Sequence, residues 1–181
     1  MKKLITKYKP VIKFVALFFG TYLLLSLLYG RYLKYAAHNS NTPDFITNLV
    51  ATQSSWLINN TGCNAQVVAH DAKPQMKLIV EGNYLANIIE GCNAMSIIVL
   101  FISFVIAFAQ KIKKTLLFIL AGSILIYTVN IIRIAILAVA LYKFPEYESI
   151  LHGVIFPGII YGMVFLLWML WIRMIKKKPI V

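Results

Sequence analysis

The sequence predicts an all-α integral membrane protein with about four transmembrane helices and a small outward-facing segment between the first and second. Three observations carry this. Of the 181 residues, 60% are hydrophobic and 13% charged, with a mean hydropathy of +0.78; soluble domains sit nearer half apolar and about a quarter charged. The apolar residues gather in four runs, each close to the roughly 20 residues that a helix needs to cross a bilayer. The net charge of +12 sits mostly in short clusters at the ends of those runs. That pattern reflects orientation in a membrane rather than nucleic-acid binding. Residues 1–181 read as a single membrane domain.

The first span is expected over residues 11–30, with Lys13 close enough to its start to snorkel. The basic start Met1-Lys2-Lys3 is that of a signal peptide, but a convincing small-residue cleavage site is lacking, so the run reads as a retained helix. Residues 31–90 follow as an outward segment, polar at first (His38-Asn39-Ser40-Asn41-Thr42-Pro43). Val67-Val68-Ala69-His70 and Met76-Lys77-Leu78-Ile79-Val80-Glu81-Gly82 then read as short strands around the turn Asp71-Ala72-Lys73-Pro74, a β-hairpin. The second span is expected over 94–110. The third, 115–142, is longer than a bilayer needs, hence tilted or projecting. The fourth, 154–172, has Pro157 in its first turn, where proline is tolerated.

Charge orients the spans. Lys2, Lys3, Lys7 and Lys9 precede the first, Lys111, Lys113 and Lys114 separate the second and third, and Arg173, Lys176, Lys177 and Lys178 follow the fourth. Four spans put all three clusters on one side, the cytoplasm. Both termini are then cytoplasmic, in a plasma (inner) membrane. The acidic residues Asp44, Asp71, Glu81, Glu90, Glu146 and Glu148 all fall in the outward segments.

Three chemically capable residues then fall at one depth. Cys92, in Glu90-Gly91-Cys92-Asn93-Ala94, stands just before the second span, where a helix dipole favours thiolate. Arg133 lies roughly 27 Å along the third span at 1.5 Å per residue, near the outer edge of a core about 30 Å thick. Asn130 is one turn earlier on the same face. His152 ends the outward loop before the fourth span, and histidine is the usual general acid or base near neutral pH. Singly, each has an ordinary reading: a small buried thiol, an arginine snorkelling to headgroups, an exposed loop histidine. Depth is one coordinate; the sequence does not give a shared azimuth.

The order Glu-x-Cys before a span, Asn-x-x-Arg within the next and His before the last resembles the exosortase/archaeosortase family of membrane cysteine transpeptidases. The short length and the run around Cys92 most resemble the exosortase F subgroup. The resemblance covers the chain from about Glu90 onward. It implies that Cys92 is the nucleophile, Arg133 the transition-state partner and His152 the acid/base. It implies substrates that are membrane-anchored proteins ending in a recognition motif, a transmembrane helix and a basic cluster. No cofactor is implied. Many members carry Ser-Gly after the cysteine, where this chain has Asn93-Ala94. Glu90 is a candidate for orienting His152 or Arg133, or an interfacial residue only.

Two other readings compete. A membrane thiol–disulfide oxidoreductase would use Cys63 with Cys92, although the chain lacks a Cys-x-x-Cys motif. A non-enzymatic export scaffold would need neither cysteine nor His152.

Overall fold

A computed structural model describes residues 2–39, 43–70 and 73–176. Met1, Ser40, Asn41, Thr42, Asp71, Ala72, Lys177 and Lys178, on which some of the expectations rest, lie outside the described residues.

The chain is mostly helical, and three stretches are long and apolar enough to cross a membrane: Tyr8–Ala37, Ile112–Lys143 and Pro145–Ile175. The first lies within α1 (Lys2–Asn39), which continues through Pro10. The expected second span behaves differently. Helix α3 (Met95–Ala107) has 13 residues, so it is about 20 Å long, short of a core about 30 Å thick. It ends shortly before Gln110 and Lys111. There the Thr115 hydroxyl accepts the Gln110 N–H at 3.1 Å, closing the turn into α4 (Ile112–Lys143).

The last span also begins earlier than expected. Residues expected as a loop are helical from Pro145, in four consecutive pieces. These are a 3-10 turn (Pro145–Tyr147), α5 (Glu148–Ile150), a π turn (Leu151–Ile155) and α6 (Phe156–Lys176). Pro157 accounts for the π turn. Proline has no N–H for the carbonyl four residues back and its ring crowds that carbonyl. The preceding turn widens, and the Phe156 N–H reaches the Leu151 carbonyl instead.

The segment expected to face outward holds more than the expected hairpin: it adds a helix and a third strand to the mostly helical fold. Asp44 caps α2 (Phe45–Asn59), its Oδ1 accepting the Ile46 and Thr47 N–H groups at 3.0 and 3.3 Å. Strands β1 (Ala65–Ala69), β2 (Met76–Val80) and β3 (Asn83–Ile88) form an antiparallel sheet in the order β1-β2-β3. Glu81 and Gly82, expected inside the second strand, both take positive φ (51° and 77°) and make the two-residue turn into β3.

Two apolar cores meet near the sheet. In one, Leu78, Val80 and Ile88 of the sheet pack with Val50 and Ile58 of α2 and Ile134, Ala135 and Ala138 of α4. In the other, Phe101 and Val105 of α3 pack with Ile126 of α4 and Val164 and Trp171 of α6. Stacked rings tie α6 to its neighbours, Trp168 on Phe104 at 4.4 Å and Trp171 on Phe118 at 4.7 Å.

Candidate active site

The segment 90–94 crosses from the sheet to α3, at the seam of the two cores. Cys92 packs against the first and Ala94 against the second. Glu90–Cys92 is a 3-10 turn closed by the Cys92 N–H on the Ile89 carbonyl at 2.8 Å. Asn93, 1% exposed, holds the next step. Its Nδ2 donates to Tyr29 Oη on α1 at 2.7 Å and to Thr47 Oγ1 on α2 at 3.1 Å. Its Oδ1 accepts the Met95 N–H at 3.0 Å, a free donor at the start of α3 that Ala94 has no side-chain oxygen to take. Thr47 in turn donates to Asp44, which also accepts from Tyr32. The residue after the cysteine thus fastens its turn to three helices.

Ala94 has φ 64°, in the left-handed region. That conformation costs an L side chain about 1–2 kcal/mol and glycine almost nothing. It is the position where the family resemblance leads one to expect glycine.

Asn130 and Arg133 arrive from α4, together with Tyr127 one turn earlier. Tyr127 Oη donates to Gln53 Oε1 on α2 at 2.8 Å. Asn130 Nδ2 donates to the Cys92 carbonyl at 2.7 Å. Arg133 is partly buried, and its Nε is buried with no hydrogen-bond partner.

Cys92, Arg133 and His152 line one cavity of about 230 Å³, with β3 residues 85–88 on one side and α4 residues between Arg133 and Leu141 on another. The structure therefore supplies the azimuth that depth along the spans left open. His152 stands in the π turn rather than in a loop, and is exposed. Glu148, one turn earlier on that helical run, lines the cavity too. Sequence reasoning passed over it, although its four-residue spacing from His152 was readable once that stretch was taken as helix.

Glu90 is not among the cavity residues. It faces a separate cleft with Lys73, Pro74 and Gln75. Burial, and then the negative charge of Asp44, raise its carboxyl above the usual range. Both cysteines are free. Cys63 precedes the end of the sheet where Ala65 pairs with Val80, and Cys92 follows the end where Ile88 pairs with Met76. Those two ends of β2 are about 13 Å apart, an arrangement that gives the oxidoreductase reading no support.

No curated protein and no solved structure matches the chain. A family model does, described as transmembrane exosortase, over residues 12–173. The match takes in residues 31–89, beyond the part of the chain that carries the motif resemblance. Spanning nearly the whole of the 181 residues, it shows that this chain belongs to the transmembrane exosortase family.

Proposed function

We propose that the chain is a membrane cysteine transpeptidase or protease, nearest the exosortase F subgroup, that removes a C-terminal sorting signal from exported proteins through a thioacyl intermediate. The observation that carries this reading is the shared cavity of Cys92, Arg133 and His152, with the buried Arg133 Nε free to donate. His152 takes the thiol proton as Cys92 Sγ attacks the scissile carbonyl carbon. Arg133 receives the developing oxyanion, an interaction worth about 3–4 kcal/mol by analogy with a single oxyanion-hole donor. The tetrahedral intermediate collapses, the C–N bond breaks, and the imidazolium gives its proton to the leaving amine. An acceptor amine or water then attacks the thioester and releases the thiol. Asn130 holds the Cys92 backbone, and Glu148 shares the cavity with His152 where the candidate Glu90 does not.

The substrates are membrane-anchored proteins with a C-terminal motif, a transmembrane helix and a basic cluster. The basic clusters orient the chain with both termini cytoplasmic and the cavity on the extracytoplasmic face. In that topology α3 crosses as a short helix, with residues 90–94 at its outer end and 108–111 at its inner end.

The test is trapping. Incubating a substrate with the wild-type or His152→Ala protein is expected to leave a hydroxylamine-sensitive adduct on Cys92. Processing without any such adduct would sink the thioacyl mechanism.

A further inference from the structure

Two end bonds fix the hydrogen-bond phase of the sheet. The Glu81 N–H donates to the Asn64 carbonyl at 2.8 Å, and the His70 N–H to the Gln75 carbonyl at 2.9 Å. In an antiparallel ladder, bonded and non-bonded residue pairs alternate. Counting inward from either end, Ile79 with Gln66 and Lys77 with Val68 are the bonded pairs of β1 and β2. Met76 and Leu78 therefore turn their backbone groups toward β3, where they face Ile88 and Ala86. Asn87, between those two, directs its N–H and C=O the other way, to the outer edge of the sheet. Among the described residues neither group has another partner.

The two edges of the sheet differ. On β1 the outward residue Ala65 is closed off by Asn59, whose Nδ2 donates to the Ala65 carbonyl at 3.1 Å and whose Oδ1 accepts the Ala65 N–H, while the outward residues Val67 and Ala69 lie away from the cavity. On β3 the outward residue Asn87 lines the cavity that also holds Cys92, Arg133 and His152. Its own Oδ1 is buried without a partner. The next outward residue, Ile89, accepts the Cys92 N–H at 2.8 Å. The open edge thus runs directly into the turn that carries the thiol.

We infer that the substrate's recognition segment binds extended along β3 as a fourth strand, its backbone paired with the N–H and C=O of Asn87 so that the scissile carbonyl reaches Cys92. The inference rests on the proposed peptidase reading and names how that site takes its substrate. Unpaired strand edges bind peptides in this way, with main-chain bonds giving affinity and pockets for alternate side chains giving specificity. The ligand class is a short extended peptide flanking the membrane, read at every second side chain.

The experiment uses the full chain in its own membrane and follows a precursor whose conversion stops in Cys92→Ala. Asn87→Pro removes the outward N–H at an edge position, where proline is compatible with the ladder. It is expected to slow conversion by about tenfold or more, the worth of one hydrogen bond or better. Ala69→Pro makes the same change at an outward residue of β1 and is expected to leave conversion at the wild-type rate. Iodoacetamide should alkylate Cys92 at the wild-type rate in both variants, reporting an intact turn. If Asn87→Pro instead disturbs alkylation, synthetic peptides spanning the cleavage junction decide, each carrying one N-methylated amide. Losses at alternate positions support strand addition, and tolerance at every position overturns it. Cys92-dependent conversion that survives in a well-folded Asn87→Pro protein overturns the edge pairing and leaves the cysteine mechanism standing. Conversion of every precursor in Cys92→Ala removes the peptidase reading and this inference with it.

Discussion

Asn130 on α4 donates from Nδ2 to the backbone carbonyl of Cys92 at 2.7 Å, so the turn bearing the thiol hangs from the helix bearing Arg133. Asn130 is 1% exposed, so no water replaces that donor when it is cut away. Asn130→Ala is expected to destabilise by about 1–3 kcal/mol, the cost of a buried acceptor left unpaired. Asn130→Asp should do worse, because it sets a carboxylate oxygen against a carbonyl. Thermal unfolding in detergent reads the stability, and the rate of Cys92 alkylation reads the position of the turn. Wild-type behaviour of Asn130→Asp in both would show that the bond positions nothing.

Arg133 makes the opposite kind of contribution. Its Nε is buried and unpartnered, so the fold gains no hydrogen bond there that a substitution would lose. Arg133→Gln is expected to keep stability within about 1 kcal/mol while precursor conversion falls about 100-fold or more, as for loss of one oxyanion donor. Arg133→Lys keeps the charge but not the planar fork and should recover only part of the rate. A large stability loss with unchanged conversion would assign Arg133 to structure alone.

Legibility in the sequence followed the physics of each signal. Long apolar runs and basic clusters are properties of composition, so α1, α4 and most of the last span could be read directly. The short α3 could not, because an apolar run reports hydropathy and not where Thr115 closes a turn. The helical start at Pro145 was hidden by its polar residues, which resemble a loop. Of the candidate site, Cys92, Arg133 and His152 stood out as chemically capable residues within or beside long apolar runs. Asn93 and Asn87 did not, because their roles depend on partners 64 residues away in one case and on strand phase in the other.

Cys63 offers a clean separation of two chemistries. It is partly buried, free, and at the far end of the sheet from Cys92. Cys63→Ala is expected to leave precursor conversion intact, since a thioacyl mechanism needs one thiol. A thiol–disulfide exchanger would lose its resolving partner and all turnover. Loss of activity in Cys63→Ala, restored by added thiol–disulfide couple, would favour redox chemistry.

Glu90 gives a pH dependence whose sign is fixed. Its carboxyl is raised by burial and by Asp44, so the fold favours the protonated form. That contribution is fully present below the ordinary value of 4.5 and is lost as pH rises through the raised value. Glu90→Gln, neutral throughout, is therefore expected to raise the melting temperature at neutral pH and to change nothing under acid conditions. Because Glu90 is partly exposed, the gain is small. The variant should leave Cys92 alkylation unchanged, since Glu90 faces a different cleft. A melting temperature lowered at neutral pH would show that the carboxylate has a favourable partner.

Gly122 tests the close packing of α4 against Phe101 of α3. A Cβ at this position would lie 2.3 Å from Phe101 Cζ and 2.7 Å from Cε1. Phe101 is fully buried and sits against Phe118 at 5.9 Å, so its ring has little room to yield. Small residues let membrane helices approach in this way. Gly122→Ala should push α3 away from α4 and cost about 1–3 kcal/mol, the usual penalty for overpacking. Because α3 begins three residues after Cys92, the same shift should strain the Asn130 bond to the Cys92 carbonyl. The variant is therefore expected to lower conversion as well as melting temperature. Adding Phe101→Leu makes room for the methyl and should restore part of both. If the double variant is no better than Gly122→Ala alone, the contact between ring and glycine does not set the distance between the two helices.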